Sequence, residues 1–228
     1  LADASGAIRE AVAILAFDTA NATIDLARGV LDTTPQSHAL GTRLIGVGEW
    51  LASEGAERAP GESVFVGAIP RTSTDQGDPT LAINGQPIVL AGRQALPYAP
   101  GRIRLNGQTE PALVAGDLTV AWAHRDRTQQ TAYLVQQGEG DIGPELGVTY
   151  TVRIRNRNGA LAHTESGLIG TSFVWTAAVA APEAGALGDR ITVEISAERD
   201  GLSSWQPQAR VMDRTGYGLR WGQYWGGV

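Results

Sequence analysis

The chain contains no cysteine and no lysine. Without cysteine, neither a disulfide framework nor a thiolate metal site holds the fold together. Without lysine, all 18 basic residues are arginine, and 24 acids outweigh them to a formal charge of −6. A protein that grips phosphates would carry the opposite excess, so nucleic acid is excluded as a partner. No apolar run approaches the roughly 18 residues of a membrane-spanning helix, which excludes membrane insertion of that kind by this segment. Methionine occurs once. What is abundant is glycine (29) and proline (11), beside 43% hydrophobic residues in 228 positions. That is enough apolar material for a core, and it matches short strands joined by tight turns. The chain opens at Leu1 with no signal-peptide pattern. It reads as a piece of a longer polypeptide.

Turn signals and alternation give an all-β chain. Residues 11–17 and 23–26 flank Asp18–Asn21 as a hairpin, whereas 2–12 reads equally as a short helix. Residues 32–35 form a loop, because the residue before Pro35 is pushed out of the helical region. Residues 36–40 read as one helical turn, and 43–47 and 63–69 as strands. Asn84-Gly85, between 80–83 and 88–90, is a strong hairpin signal. Residues 96–101 hold two prolines and a glycine and are the linker candidate.

Beyond it the alternation is cleaner. Leu118, Val120 and Trp122 share a strand face. Tyr150, Val152 and Ile154 alternate with Thr151, Arg153 and Arg155. Ile191, Val193, Ile195 and Ala197 alternate with polar residues, and 172–176 is a further strand. Such a run suggests a β-sandwich. The expected division is a small β domain over 1–97, a sandwich over 98–213, and a Gly/aromatic segment over 214–228.

The order Pro100, Trp122, Tyr150–Ile154, Thr171–Phe173, Ile191–Ile195 and Asp200–Ser204 resembles a fibronectin type III domain, whose second strand carries a core Trp. A second resemblance covers nearly the whole chain. It rests on Arg28-Gly-Val-Leu-Asp-Thr-Thr-Pro35 with His38, Pro97-Tyr-Ala-Pro-Gly101 with Arg104-Leu-Asn-Gly107, and Trp122-Ala-His-Arg-Asp-Arg127 with Gln130-Thr131. The closing Gly216-Tyr-Gly218 and Trp221-Gly-Gln-Tyr-Trp-Gly-Gly227 belong to it too. Together they resemble the C-terminal part of the tail-tip (hub or central fibre) proteins of long-tailed phages and gene transfer agents. The resemblance implies a virion structural protein without cofactor, a homo-oligomer (a trimer), other tail-tip and baseplate proteins as partners, and a host-surface glycan or protein as a further one.

The candidate chemistry is sparse. His124-Arg125-Asp126 spells the kinase catalytic-loop tripeptide, but Thr131 stands where that loop needs Asn, and no Gly-rich phosphate loop precedes it. The plainer reading is a polar strand end after Trp122, with His124 and Asp126 holding the next loop. His38, His124 and His163 lack metal-ligand spacing, and His38 reads as packed within its loop. Asp141 and Glu145 lack the alternation of oxygen ligands a calcium loop needs. No enzyme is expected.

Arg153, Arg155 and Arg157 recur at period two. They suit either an anionic ligand or internal pairing with Glu194 and Glu198 on a neighbouring strand. Tyr217, Trp221, Tyr224 and Trp225 lie among five glycines. Four aromatics need cover, so they are the candidate partner-docking residues, with folding back on the sandwich and glycan binding as the other readings. A carbohydrate-binding or accessory module of a secreted enzyme is the rival function.

Overall fold

Strand β5 shows how directly alternation sets burial: Gly101, Ile103 and Leu105 are buried while Arg102 and Arg104 are exposed. The computed structural model describes residues 1–47, 55–67, 69–78, 85–109, 113–114, 116–130, 133–176 and 190–214. Their strands are β1 (Ala13–Asp18), β2 (Thr23–Ala27), β3 (Ser63–Val66), β4 (Gln86–Val89), β5 (Gly101–Leu105), β6 (Leu113–Val114), β7 (Leu118–Ala123), β8 (Thr149–Asn156), β9 (Leu161–Leu168), β10 (Ser172–Trp175), β11 (Arg190–Arg199), β12 (Leu202–Ser203) and β13 (Gln208–Arg214). The chain is all-β.

One sheet has the order β10-β7-β5 and the other β6-β13-β11-β8-β9, with β12 beside β11. Ile103, Leu105, Leu118, Val120, Trp122 and Trp175 from the first face Tyr150, Val152, Ile154, Ile191, Val193, Ile195 and Met212 from the second in a single buried cluster. A sandwich of this kind is what the fibronectin type III resemblance implies, with Trp122 on its second long strand. Two of the longer described strands lacked a sequence signal. β9 mixes Thr164, Glu165 and Gly167 into its middle, and β13 is rich in polar residues.

Several local expectations are corrected. Residues 2–12 form no helix: a turn at Ala4-Ser5 folds the stretch back so that Ala2 bridges Ile8, Ala2 also bridges Arg43, and Arg43 lies in that single bridge, not in a strand. Residues 36–40 make no helical turn, because the Gln36 N–H and the His38 ring both bond to Glu10. β4 pairs with β3, while residues 80–83 and Asn84, the other arm of the expected hairpin, lie outside the described residues. Pro97, Ala99, Pro100 and Gly101 are buried, so 96–101 is no free spacer. The two prolines lack an N–H, which removes two donors that burial would leave to be satisfied.

The chain divides into one unit of Leu1–Ile45 with Leu96–Val228 and a second of Gly46–Ala95. Residues 1–45 therefore stand with the sandwich rather than in a separate domain ending at 97. In the second unit β3 and β4 form a two-stranded antiparallel ribbon.

Candidate functional site

Glu10 is fully buried, and five donors converge on its carboxylate. Arg28 reaches it bidentately, Nε to Oε1 at 2.6 Å and Nη2 to Oε2 at 2.7 Å. The Gly29 N–H donates to Oε1 at 2.9 Å and the Gln36 N–H to Oε2 at 3.0 Å. His38 Nε2 stands 2.7 Å from Oε2. Burial pushes the Glu10 carboxyl upward, but Arg28, the Gln36 N–H, His38 and the Gly29 N–H outweigh it and hold it at about 2. An ionised carboxylate only accepts, so the His38 proton sits on Nε2. His38 thus packs on Glu10, beyond its own loop. Nothing in the sequence around Glu10 announced this role.

A second buried group sits close by. Arg125 donates through Nη1 to the Gly29 carbonyl at 3.3 Å and through Nη2 to the Val135 carbonyl at 3.0 Å, and it lies 5.4 Å from the Tyr98 ring centre. With its amide oxygen turned toward Arg125, Gln137 accepts from Nη1 at 3.0 Å and donates to the Pro100 carbonyl at 3.1 Å. Burial lowers the Arg125 guanidinium to about 10, against the opposing pull of Tyr98 and Asp32. Gly29 joins both networks and must be glycine. Its φ is +58°, and an added Cβ would lie 2.5 Å from Gln137 Cγ and 2.6 Å from Pro35 Cδ. Gln206 fastens the same region to the sandwich. It accepts from the Thr34 N–H at 2.9 Å and donates to the Arg9 carbonyl at 2.9 Å.

The stretch after Trp122 is equally structural. The Trp122 ring packs 5.5 Å from that of Tyr150, whose hydroxyl lies 2.8 Å from His124 Nδ1. Burial raises the Tyr150 hydroxyl well above its ordinary range, helped by Asp141 and Asp126. Asp126 accepts from the Thr128 N–H (2.7 Å), the Thr128 hydroxyl (2.6 Å) and Gln129 Nε2 (2.7 Å), so it holds the following loop. Those bonds hold its carboxyl below its ordinary value although burial pushes the other way. Asp141 accepts the His124 N–H at 2.7 Å, while Glu145 takes Arg127 Nε at 2.8 Å and Arg199. Both carboxylates considered for calcium are thus engaged within the fold. Among the described residues no three His, Cys, Asp or Glu side chains are grouped to hold a metal.

Arg153 and Arg155 of the arginine row pair internally. Arg155 Nε donates to Glu194 Oε2 at 2.8 Å, and Arg153 donates to Ser196 Oγ at 2.9 Å and Glu198 Oε1 at 3.3 Å. Arg157 lies past the end of β8, in the turn. A cleft of about 550 Å³ beside His38 is lined by Asp3, Arg9, Gln36, Ser37 and Thr42. Its acid is already occupied: Asp3 takes Arg9, the Ser5 hydroxyl and two backbone N–H groups.

One surface stands apart. The β1–β2 register pairs Phe17 with Ile24 and Ile14 with Leu26, and the break between Ile14 and Ala16 leaves Leu15 as the extra residue. Two adjacent residues of a bulge share a face, so Ile14, Leu15, Phe17, Ile24 and Leu26 lie together. Asp18, Thr23 and Asp25 lie opposite. Leu15 and Phe17 are 64% and 66% exposed. The other docking candidates, Tyr217, Trp221, Tyr224 and Trp225, lie outside the described residues. Neither protein-family models nor curated proteins match the chain.

Proposed function

We propose that this chain is a structural component of a phage-like virion tail tip, in the hub or central-fibre region, contributing to tail-tip assembly and host attachment. The observation that carries this reading is the β1–β2 ribbon. Its apolar face of Ile14, Leu15, Phe17 and Ile24 is turned to solvent. A two-stranded ribbon is marginal in water by itself, and a contiguous exposed apolar face marks an interaction site. The residues behind the tail-protein resemblance support the same reading. Arg28, Gly29, His38, Arg125 and Asp126 tie loops together, which suits a rigid cofactor-free module bound to neighbouring tail-tip and baseplate proteins. In this reading the role is mechanical, not catalytic.

Phe17→Asp and Leu15→Asp test it. Both sites are exposed, so each variant should melt within a few degrees of the parent chain. Each should nevertheless fail to enter assembled particles. Incorporation at the parent level would overturn the docking role of this face.

A further inference from the structure

Strand edges invite pairing with other chains, and proteins blunt them with charge, bulges, proline or cover. Most edges here are blunted. β9 carries two register breaks and Glu165, and β5 carries a break with Arg102 and Arg104. β1 has its bulge and Asp18, β2 has Asp25, and β4 has Pro87. β10 carries no charge, break or proline, and the ring of its Phe173 stacks on that of His163 at 5.7 Å. β3, Ser63-Val-Phe-Val66, has no charge, break or proline, and Phe65 is 73% exposed.

The partner strand shows which way this edge points. Pro87 stands opposite Phe65 and has no N–H, and the Leu90 N–H bonds to the Glu62 carbonyl. The ladder bonds of the ribbon therefore fall at Val64–Ile88 and Val66–Gln86. Alternation turns the N–H and C=O groups of Ser63 and Phe65 outward. This edge complements itself. In an antiparallel pair of two copies, Ser63 of each bonds Phe65 of the other, and the two Val64 residues face each other on a two-fold axis. Glu62 then faces Val66, so no like charges are opposed. A parallel pairing would set the two Glu62 residues side by side.

We propose that β3 is a self-pairing edge, through which two copies of this chain join antiparallel into a continuous sheet of order β4-β3-β3-β4. The described residues of the second unit include no buried side chain, and a sheet gains independent stability only from three or more strands. A self-complementary edge that no described residue blunts meets the partner present wherever the chain is, a second copy. This inference is independent of where the protein works. Its two-fold symmetry also differs from the trimer implied by the tail-protein resemblance.

Sedimentation equilibrium of the full chain at micromolar concentration tests it. The expected mass is twice the 24.0 kDa of one chain. Ser63→Pro removes an outward N–H that β4 does not use, and Phe65→Lys sets two cations near the axis. Both are expected to abolish the dimer while leaving the melting transition of the sandwich unchanged. The chain has no cysteine, so Val64→Cys is expected to give a disulfide-linked dimer on mild oxidation. Facing pairs not bonded to each other approach to about 4.5 Å between Cα atoms, within disulfide reach. Val66→Cys, which faces Glu62, is expected not to cross-link. A monomeric chain, a trimer indifferent to Ser63→Pro and Phe65→Lys, or cross-linking through Val66→Cys and not Val64→Cys would each overturn the proposal.

Discussion

Arg125 donates from Nη1 to the carbonyl of Gly29, 96 residues earlier in the chain, at 3.3 Å. The Gly29 N–H meanwhile donates to Glu10 at 2.9 Å. One glycine thus couples a buried carboxylate to a buried guanidinium. Gly29→Ala forces a Cβ into contact with Gln137 and Pro35 in a left-handed conformation, and should cost at least about 2 kcal/mol. Arg125→Ala leaves the Gly29 and Val135 carbonyls without this donor and should cost about 3 kcal/mol. Arg125→Lys should recover little of it, since a point charge cannot reach the same carbonyls as the planar fork. Urea unfolding midpoints check all three.

Glu10 gives a pH signature. Its carboxyl is lowered from 4.5 to about 2 on folding. Between those values the unfolded chain binds more protons than the folded one, so stability rises with pH there. The contribution is fully present above about pH 4.5 and is lost as pH falls through about 2. At about 1.4 kcal/mol per unit it amounts to roughly 3 kcal/mol. Unfolding curves against pH should show this slope for the parent chain, and Glu10→Gln should lack that part of it.

The sandwich core has its own test. Trp122→Ala removes a buried indole packed on Tyr150 and should cost about 3–5 kcal/mol. Tyr150→Phe keeps the ring and loses only the contact to His124, for about 1 kcal/mol. Thermal unfolding of both variants should preserve that order.

On the sheet face, Arg155 and Glu194 are not direct partners in the ladder, because Glu194 faces Arg153 and Arg155 faces Thr192. Their bond is diagonal and partly exposed. A double-mutant cycle with alanine at both positions should give about 0.2–1 kcal/mol of coupling, shrinking with added salt.

The sandwich was legible because its strands are half-buried, and Leu118-Thr-Val-Ala-Trp122 or Ile191–Ala197 show the period directly. β9 was not, since as an edge strand it buries no continuous row. The ion pairs of Arg153 and Arg155 followed from the same alternation, although the diagonal offset did not. The buried polar centre was half legible. His38, Arg28 and Arg125 stood out as residue types, but their meeting point depends on Glu10 and Gln137. These lie 28 residues before His38 and 12 after Arg125. Contacts of that span are set by tertiary packing, and local patterning does not encode them. The β1–β2 face needed the bulge, without which Ile14 would be assigned to the side of Ala16 and Asp18.

Immunogold electron microscopy tests the central claim most directly, with an antibody raised against this chain applied to particles from the source culture. Gold confined to the distal end of tails is the expected result. Unlabelled particles, with the antigen recovered free in the culture supernatant, would contradict a tail-tip role.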